Sequence, residues 1–214
     1  MSPADLIDGP LWYLSATVFA LGTLWRLFVI LRVGLRPDLS RPRASAVLGA
    51  LRGLVSRFLP KRVLWSRLRF QVVAGYLFHL GLFALLLFAA PHVAFLDDRL
   101  LGLAWTPMPH WAFVLSAELA FLGLLLLWLR RVLDPVARLL STAGDHAASI
   151  LTFLVMLSGC LALARDHESL RLLHLLLVEL WLLYFPFSSL MHTFTFVIGR
   201  SALGARYGRR GVPV

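Results

Sequence analysis

LRLLHLLLVELWLLYFPFSSLMHTFTFVI, residues 170–198, is an apolar run that carries two histidines, His174 and His192. A bilayer's hydrocarbon core is roughly 30 Å thick and needs about 20 apolar helical residues to cross it. Read as one tilted helix, the run is long enough. At ~100° and ~1.5 Å per residue, the step from His174 to His192 returns to the same face about 27 Å further along the axis. An imidazole in lipid is costly and usually faces a bundle interior, a partner or a cofactor. Two on one face, at opposite membrane depths, predict two metal centres and electron transfer across the bilayer.

Composition agrees with a membrane chain. Of 214 residues, 59% are hydrophobic, and the mean hydropathy is +0.80, too apolar for a soluble domain of this size. The formal charge of +10 is no sign of nucleic-acid binding, because the basic residues collect between hydrophobic segments. The single cysteine, Cys160, excludes an intramolecular disulfide, a thiolate-held iron–sulfur cluster and covalent c-type haem. It follows Gly159 in an apolar stretch and reads as packing. Asp5 and Asp8 stand where a secretory leader would be basic, so no cleaved signal peptide is expected.

The expected fold is all-α, an integral membrane bundle of five transmembrane helices in a single domain over 1–214. The spans fall at about 11–30, 70–96, 110–129, 146–164 and 170–198. Ten Lys or Arg occupy the loop between the first two spans: Arg32, Arg36, Arg41, Arg43, Arg52, Arg57, Lys61, Arg62, Arg67 and Arg69. Arg130, Arg131 and Arg138 follow span three, and Arg200, Arg206, Arg209 and Arg210 form the tail. The other side holds Arg99, Arg165 and Arg171, beside Asp97, Asp98, Asp166 and Glu168. Seventeen against three puts the N-terminus outside and the C-terminus in the cytoplasm of a bacterial inner membrane. Within the basic loop of 31–69, residues 44–59 read as an amphipathic helix. Val47, Leu48, Leu51, Leu54, Val55 and Phe58 share its apolar face, with Arg52 and Arg57 off it. Such a helix suits the inner leaflet or a docked partner.

Span two carries His79 and, thirteen residues later, His92 after Pro91. It runs inside to outside while span five runs the other way, so His79 should match the depth of His192 and His92 that of His174. Facing helices supply bundle cofactor sites in this manner. Imidazoles above and below a porphyrin iron give a six-coordinate b-type haem that carries electrons rather than activating a substrate. Thirteen residues is ~220° on an ideal helix, so His79 and His92 share a face only if Pro91 kinks or unwinds the segment. The alternative for all four is hydrogen bonding within the bundle. His110, beside Trp111, reads as interfacial, His167 as a loop residue, and His146 as a weaker substitute ligand.

Leu173-His174-Leu175, followed by the stretch from Tyr184 to His192, resembles the last helix of the respiratory nitrate reductase gamma subunit family. That family has an R-L-H…F-P-F-S-R-L-x-H pattern with the same histidine spacing. Phe78-His79-x-Gly81 is similar to its F-H-x-G, and Ser141-Thr142-Ala143-Gly144-Asp145 before span four also agrees. The resemblance implies two b-type haems, His79 and His192 on the inner iron and His174 on the outer. It further implies a membrane quinone as substrate and a cytoplasmic iron–sulfur or molybdoenzyme subunit as partner. Two positions depart from the pattern. Ala89 stands where nitrate reductase members place the second histidine of span two, leaving His92 as the outer ligand. Ser189 replaces the motif's arginine, so a haem propionate needs another donor: Arg26, Arg69 or Arg200. The departures point to a divergent member, of the branch paired with sulfite-reduction or heterodisulfide-reductase-like iron–sulfur subunits.

On this reading quinol docks near the outer face, releases its protons outside, with Asp97 and Asp98 among the acceptors, and sends electrons inward. One rival is a haem-free anchor that docks a soluble redox enzyme on the inner leaflet. The other is a small transporter using Glu118 and Glu179, though no broken-helix repeat supports it.

Overall fold

A computed structural model describes residues 2–34, 38–56, 58, 60, 62–165 and 167–212. Arg36, Arg57, Lys61 and Asp166, which entered the charge count, lie outside them, as does the end of the expected amphipathic segment. The described residues form helices and turns without a strand. Five helical stretches are long and apolar enough to cross a bilayer, at Pro3–Val33, Arg62–Phe88, His110–Leu133, Ala143–Ala164 and Glu168–Phe187. The protein is therefore an all-α chain with five candidate membrane spans. Leu21, Trp25, Leu80 and Trp111 are each more than 60% exposed. Apolar surface on that scale suits contact with lipid.

In chain order we name α1 (Pro3–Val33), α2 (Ala46–Ser56), α3 (Arg62–Phe88), α4 (Ala90–Leu96), α5 (His110–Leu133), α6 (Pro135–Leu139), α7 (Ala143–Ala164), α8 (Glu168–Tyr184) and α9 (His192–Arg209). The chain divides into two compact units, residues 67–177 and residues 1–66 with 178–214.

In the unit of 67–177, helix ends follow local chemistry. Asp134 caps α6, its carboxylate accepting from the Ala137 amide at 2.8 Å, with Pro135 at the first turn. The Thr142 hydroxyl accepts from the Asp145 amide, and the Asp145 carboxylate accepts from the Thr142 amide at 2.9 Å. This capping box fixes the start of α7, and such caps are worth about 1 kcal/mol. The core joins Leu85, Ala117, Ala120, Leu124 and Met156, with Phe78, Phe121 and Cys160 packed on it.

Span two is broken where Pro91 makes it break. Ala89 is extended (φ −65°, ψ 136°), and α4 begins one residue on. A proline cannot donate to the carbonyl four residues back, so the Leu87 carbonyl loses its helical donor. The Trp105 indole supplies one at 2.8 Å. The Phe88 carbonyl likewise accepts from the Met108 amide at 2.8 Å. The chain after α4 thus returns to satisfy the gap.

In the other unit, α2 lies on α9 at backbone distance. A Cβ on Gly208 would sit 2.6 Å from the Gly49 Cα, and one on Gly53 would sit 2.7 Å from the Gly204 Cα. Glycines spaced by four on both helices leave no side chain between the backbones. The apolar face expected on 44–59 forms over Ala46–Ser56 and points away, with Val47 and Val55 about 70% exposed.

The fifth span differs from its expected continuous helix over 170–198. It ends at Tyr184, passes through 3-10 turns at Phe185–Phe187 and Ser189–Met191, and resumes as α9 at His192. Ser188 between them is extended (φ −116°, ψ 177°). Pro186 withholds its amide, and the hydroxyl of Ser188 caps the next turn by accepting from the Leu190 amide at 3.2 Å. The Arg26 guanidinium donates to the Pro186 carbonyl at 2.8 Å. The same-face, 27 Å relation of His174 to His192 therefore no longer follows from helix geometry, since that inference requires an unbroken helix.

Candidate functional site

His92 and His174 come together in the unit of 67–177. Their ring centroids are 6.2 Å apart and their planes 23° from parallel. The break at Ala89 turns His92 into position, as the ~220° step from His79 required. Its Nδ1 lies 2.9 Å from the Leu85 carbonyl. A carbonyl oxygen only accepts, so Nδ1 carries the hydrogen and a neutral ring keeps its lone pair on Nε2.

His174 reaches the same state through a serine. Its Nδ1 is 3.1 Å from the Ser158 oxygen. The Ser158 hydroxyl spends its one hydrogen on the Val155 carbonyl at 3.0 Å. With the hydrogen placed on Val155, the Ser158 oxygen accepts from His174 Nδ1–H, the arrangement that leaves the lone pair on Nε2 here too. Gly159 makes room: a Cβ there would lie 2.9 Å from His174 Cε1.

The other two ligand candidates share this tautomer. His79 Nδ1 donates to the Gly75 carbonyl at 2.7 Å, and His192 Nδ1 donates to the Ser189 carbonyl at 2.8 Å. His79 belongs to the unit of 67–177 and packs on Phe78 and Phe83. His192 belongs to the other unit, at the first turn of α9. Of the four, the structure brings together His92 and His174.

An Nδ1–H held by an oxygen is what fixes a metal-bound histidine in orientation and directs Nε2 to the metal. Two metal–nitrogen bonds of about 2.0 Å, with roughly 1.1 Å from each nitrogen to its ring centre, span roughly 6 Å. The 6.2 Å separation fits an iron between coaxial imidazoles. Aromatic pairs also meet at about 4.5–7 Å, so the distance fits plain ring contact as well, and the shared tautomer leaves the Nε2 lone pair of each ring as the one that could meet a metal. No group of three or more His, Cys, Asp or Glu occurs among the described residues. Axial haem ligation asks for two, since the porphyrin supplies the rest.

For the propionates, Arg26 is engaged with Pro186. Arg200 lies over the rings of Phe58 and Phe196, at 4.8 and 5.3 Å, and its buried Nη1 has no hydrogen-bond partner among the described residues. An orphaned guanidinium nitrogen fits an acidic group on a ligand. Of the three arginines named from sequence, Arg200 is the one whose surroundings ask for such a partner.

A cavity of about 710 Å³ is lined by Ala89, Met108, His110, Phe113, Glu118 and Cys160 among others, and neither His92 nor His174 is part of its wall. Ala89 is three residues from His92, and Cys160 adjoins the Gly159 that holds the His174 ring. His146 instead meets Trp128 edge-on at 6.5 Å, a packing role. Glu179 is 5% exposed in the other unit.

Sequence reasoning did not find Ser158, Gly159, Trp105 or Met108. Pro91 was the available signal for the last two, since it guaranteed a carbonyl in need of a donor. Gly159 entered only as the residue before Cys160, and the structure sets it against the His174 ring.

Fold and site together define a helical, multi-span membrane protein with a histidine pair set in its spans. No family model matches the chain, and no solved structure matches it. A protein of Nitratidesulfovibrio vulgaris is 30% identical over 216 residues, which cover 96% of this chain and 94% of that one. The chain belongs to the same family as that protein.

Proposed function

We propose that the protein is a di-haem b-type cytochrome subunit, exchanging electrons between membrane quinone and a cytoplasmic iron–sulfur partner. The observation that carries this reading is the His92–His174 pair, 6.2 Å apart with each Nδ1–H held by an oxygen. His92 and His174 hold the outer haem, and His79 and His192 the inner one. Bound there, the haems supply one-electron carriers without an open coordination site. The chain's part is to fix the rings: Leu85 and Ser158 set the outer tautomers, Gly75 and the Ser189 carbonyl the inner ones. Arg200 offers a donor to a propionate. The seventeen-to-three distribution of Lys and Arg supports an inner-membrane orientation with the basic loop and the arginine-rich tail from Arg200 in the cytoplasm.

The resemblance of the His174–His192 segment to the nitrate reductase gamma family supports the same reading, with a heterodisulfide-reductase-like or molybdoenzyme subunit as partner. The exposed apolar face of α2 favours one alternative, a haem-free anchor. The two part in a difference spectrum of the purified chain, expressed with ample haem and treated with a soluble quinol. The cytochrome reading expects reduced b-type bands. A colourless chain that still retains its partner on the membrane would leave the anchor.

A further inference from the structure

Val47, Leu48, Leu51 and Val55 form an apolar stripe along α2 and are 46–72% exposed. At ~100° per residue, Gly49 and Gly53 stand on the opposite side of the helix, and these two meet Gly204 and Gly208 of α9. The backbone contact therefore holds α2 with its stripe outward. The segment before α2 is tied down too: the Arg43 amide donates to the Arg209 carbonyl at 2.7 Å, and Arg210 pairs with Asp38. Charge, tether and size say what covers the stripe. Residues 39–69 hold eight Lys or Arg, residues 192–214 hold four, and neither stretch has an Asp or Glu. A surface of one sign attracts the opposite sign. Five residues separate Ser56 from Arg62, where the next candidate span begins, a reach of at most about 22 Å. The end of α2 is thus held near a point where the chain enters the membrane. Eleven helical residues give a stripe only about 16 Å long, well short of the ~800 Å² per partner of a stable protein interface.

Leu48 of the stripe also lines a cavity of about 250 Å³ between the start of α2 and the end of α9, with Ser45, Arg52, Gly208, Gly211 and Val212. Arg52 is the ionisable group in that wall, exposed and paired with no described residue. The Ser45 hydroxyl accepts from the Leu48 amide at 3.3 Å and keeps its own hydrogen for a ligand oxygen. An occupant needs a compact anionic head and an apolar body that continues along the stripe. An anionic glycerophospholipid has both. We propose that α2 is an interfacial foot seated in the inner leaflet, its stripe among acyl chains and an anionic phospholipid's phosphate at Arg52. Basic amphipathic helices bind membranes through these two contributions, buried apolar surface and attraction to anionic lipid. Neither contact involves a haem, so the foot stands or falls apart from the electron-transfer reading.

Quenching of a fluorescent label tests it in the full chain carrying Cys160→Ala. The label is placed at Val55→Cys, on the stripe, or at Ser56→Cys, exposed beside it. Vesicles are of phosphatidylcholine alone or with phosphatidylglycerol. Doxyl-lipid quenches a label among acyl chains, and acrylamide quenches one in water. With phosphatidylglycerol, doxyl quenching at Val55 should be at least about threefold that at Ser56, and in phosphatidylcholine alone it should fall by about half or more. Arg52→Gln should abolish the difference between the two vesicles, and Leu51→Glu should open the Val55 label to acrylamide in both. Both variants should keep the wild-type detergent Tm, because both side chains are exposed. Equal doxyl quenching at Val55 and Ser56 would overturn the foot. So would a Val55 label shielded from both quenchers, which would put a protein on the stripe, or a lowered Tm in Leu51→Glu, which would put the stripe in the fold. Val55 quenching that ignores phosphatidylglycerol, or an unchanged dependence on it in Arg52→Gln, would overturn the anionic lipid at Arg52.

Discussion

Glycine brings helices together backbone on backbone in both units, Gly81 and Gly123 doing so between α3 and α5, but at Gly159 it admits a polar side chain instead. In residues 1–66 with 178–214, Gly49 and Gly53 of α2 meet Gly204 and Gly208 of α9, backbone against backbone. In residues 67–177, Gly159 of α7 meets the imidazole of His174 on α8. Membrane helices commonly associate through small residues that let backbones approach, and the α2–α9 contact follows that rule outside the spans. The Gly159 contact spends the same space on a polar ring, and Ser158 next to it sets the ring's tautomer. A glycine facing a glycine lets two backbones meet; a glycine facing a histidine makes room for a polar ring.

Substitutions separate the two uses, in descending order of effect. Gly159→Leu should drive the His174 ring from its place and remove one of two haems, read as haem per chain falling from two to one. Stability should change little, because the ring can rotate aside. Gly204→Leu should do the reverse. A side chain there strikes the backbone of α2, which cannot yield, at a cost of about 3 kcal/mol; detergent Tm should fall by several degrees, with the His92–His174 haem retained. Equal haem loss in both variants would erase the distinction.

Ser158→Ala sharpens the comparison further. It leaves Gly159 and the ring in place but removes the acceptor for His174 Nδ1–H, and outer-shell partners of this kind are worth roughly 10–100-fold in metal affinity. Haem should still bind and should be extracted more readily by a competing apo-protein. Full retention against that competitor would mean that Ser158 does not set the tautomer.

The smallest effect belongs to the end of α9. Arg210 donates to Asp38 at 2.9 Å, and this hydrogen bond, then those from Ser40, hold the Asp38 carboxyl well below the usual carboxylate range. A lowered folded-state value means that the contribution is complete above the ordinary carboxylate pKa of about 4 and is lost as pH falls below it. The pair is exposed, so its worth is small. Asp38→Asn should slightly increase proteolysis near residue 210 at pH 7 and make no difference at the acid end, where the wild-type carboxyl is protonated.

Much of the fold was legible because hydropathy is a blunt signal: five spans need only five long apolar runs, and those are plain in the sequence. The breaks were legible unevenly. Pro91 announced one because His79 and His92 could not otherwise share a face. Pro186 lies in an equally apolar run, where hydropathy sees no lost hydrogen bond, and the segment was read through as one helix. Ser141 to Asp145, read as part of a family pattern, proves to include a capping box that starts α7. Of the site, the candidate histidines could be named from sequence. Their tautomers could not, since these depend on a carbonyl seven residues back that the helix break brings within reach of His92 and on a hydroxyl one helix away.

The central claim is that His92 and His174 share one iron, and haem stoichiometry in the single variants His92→Ala and His174→Ala tests it directly. The account predicts two b-type haems in the wild type and one in each variant, with the same spectral component missing from both. A wild type without haem, a variant that keeps both haems, or two variants that lose different components would contradict it.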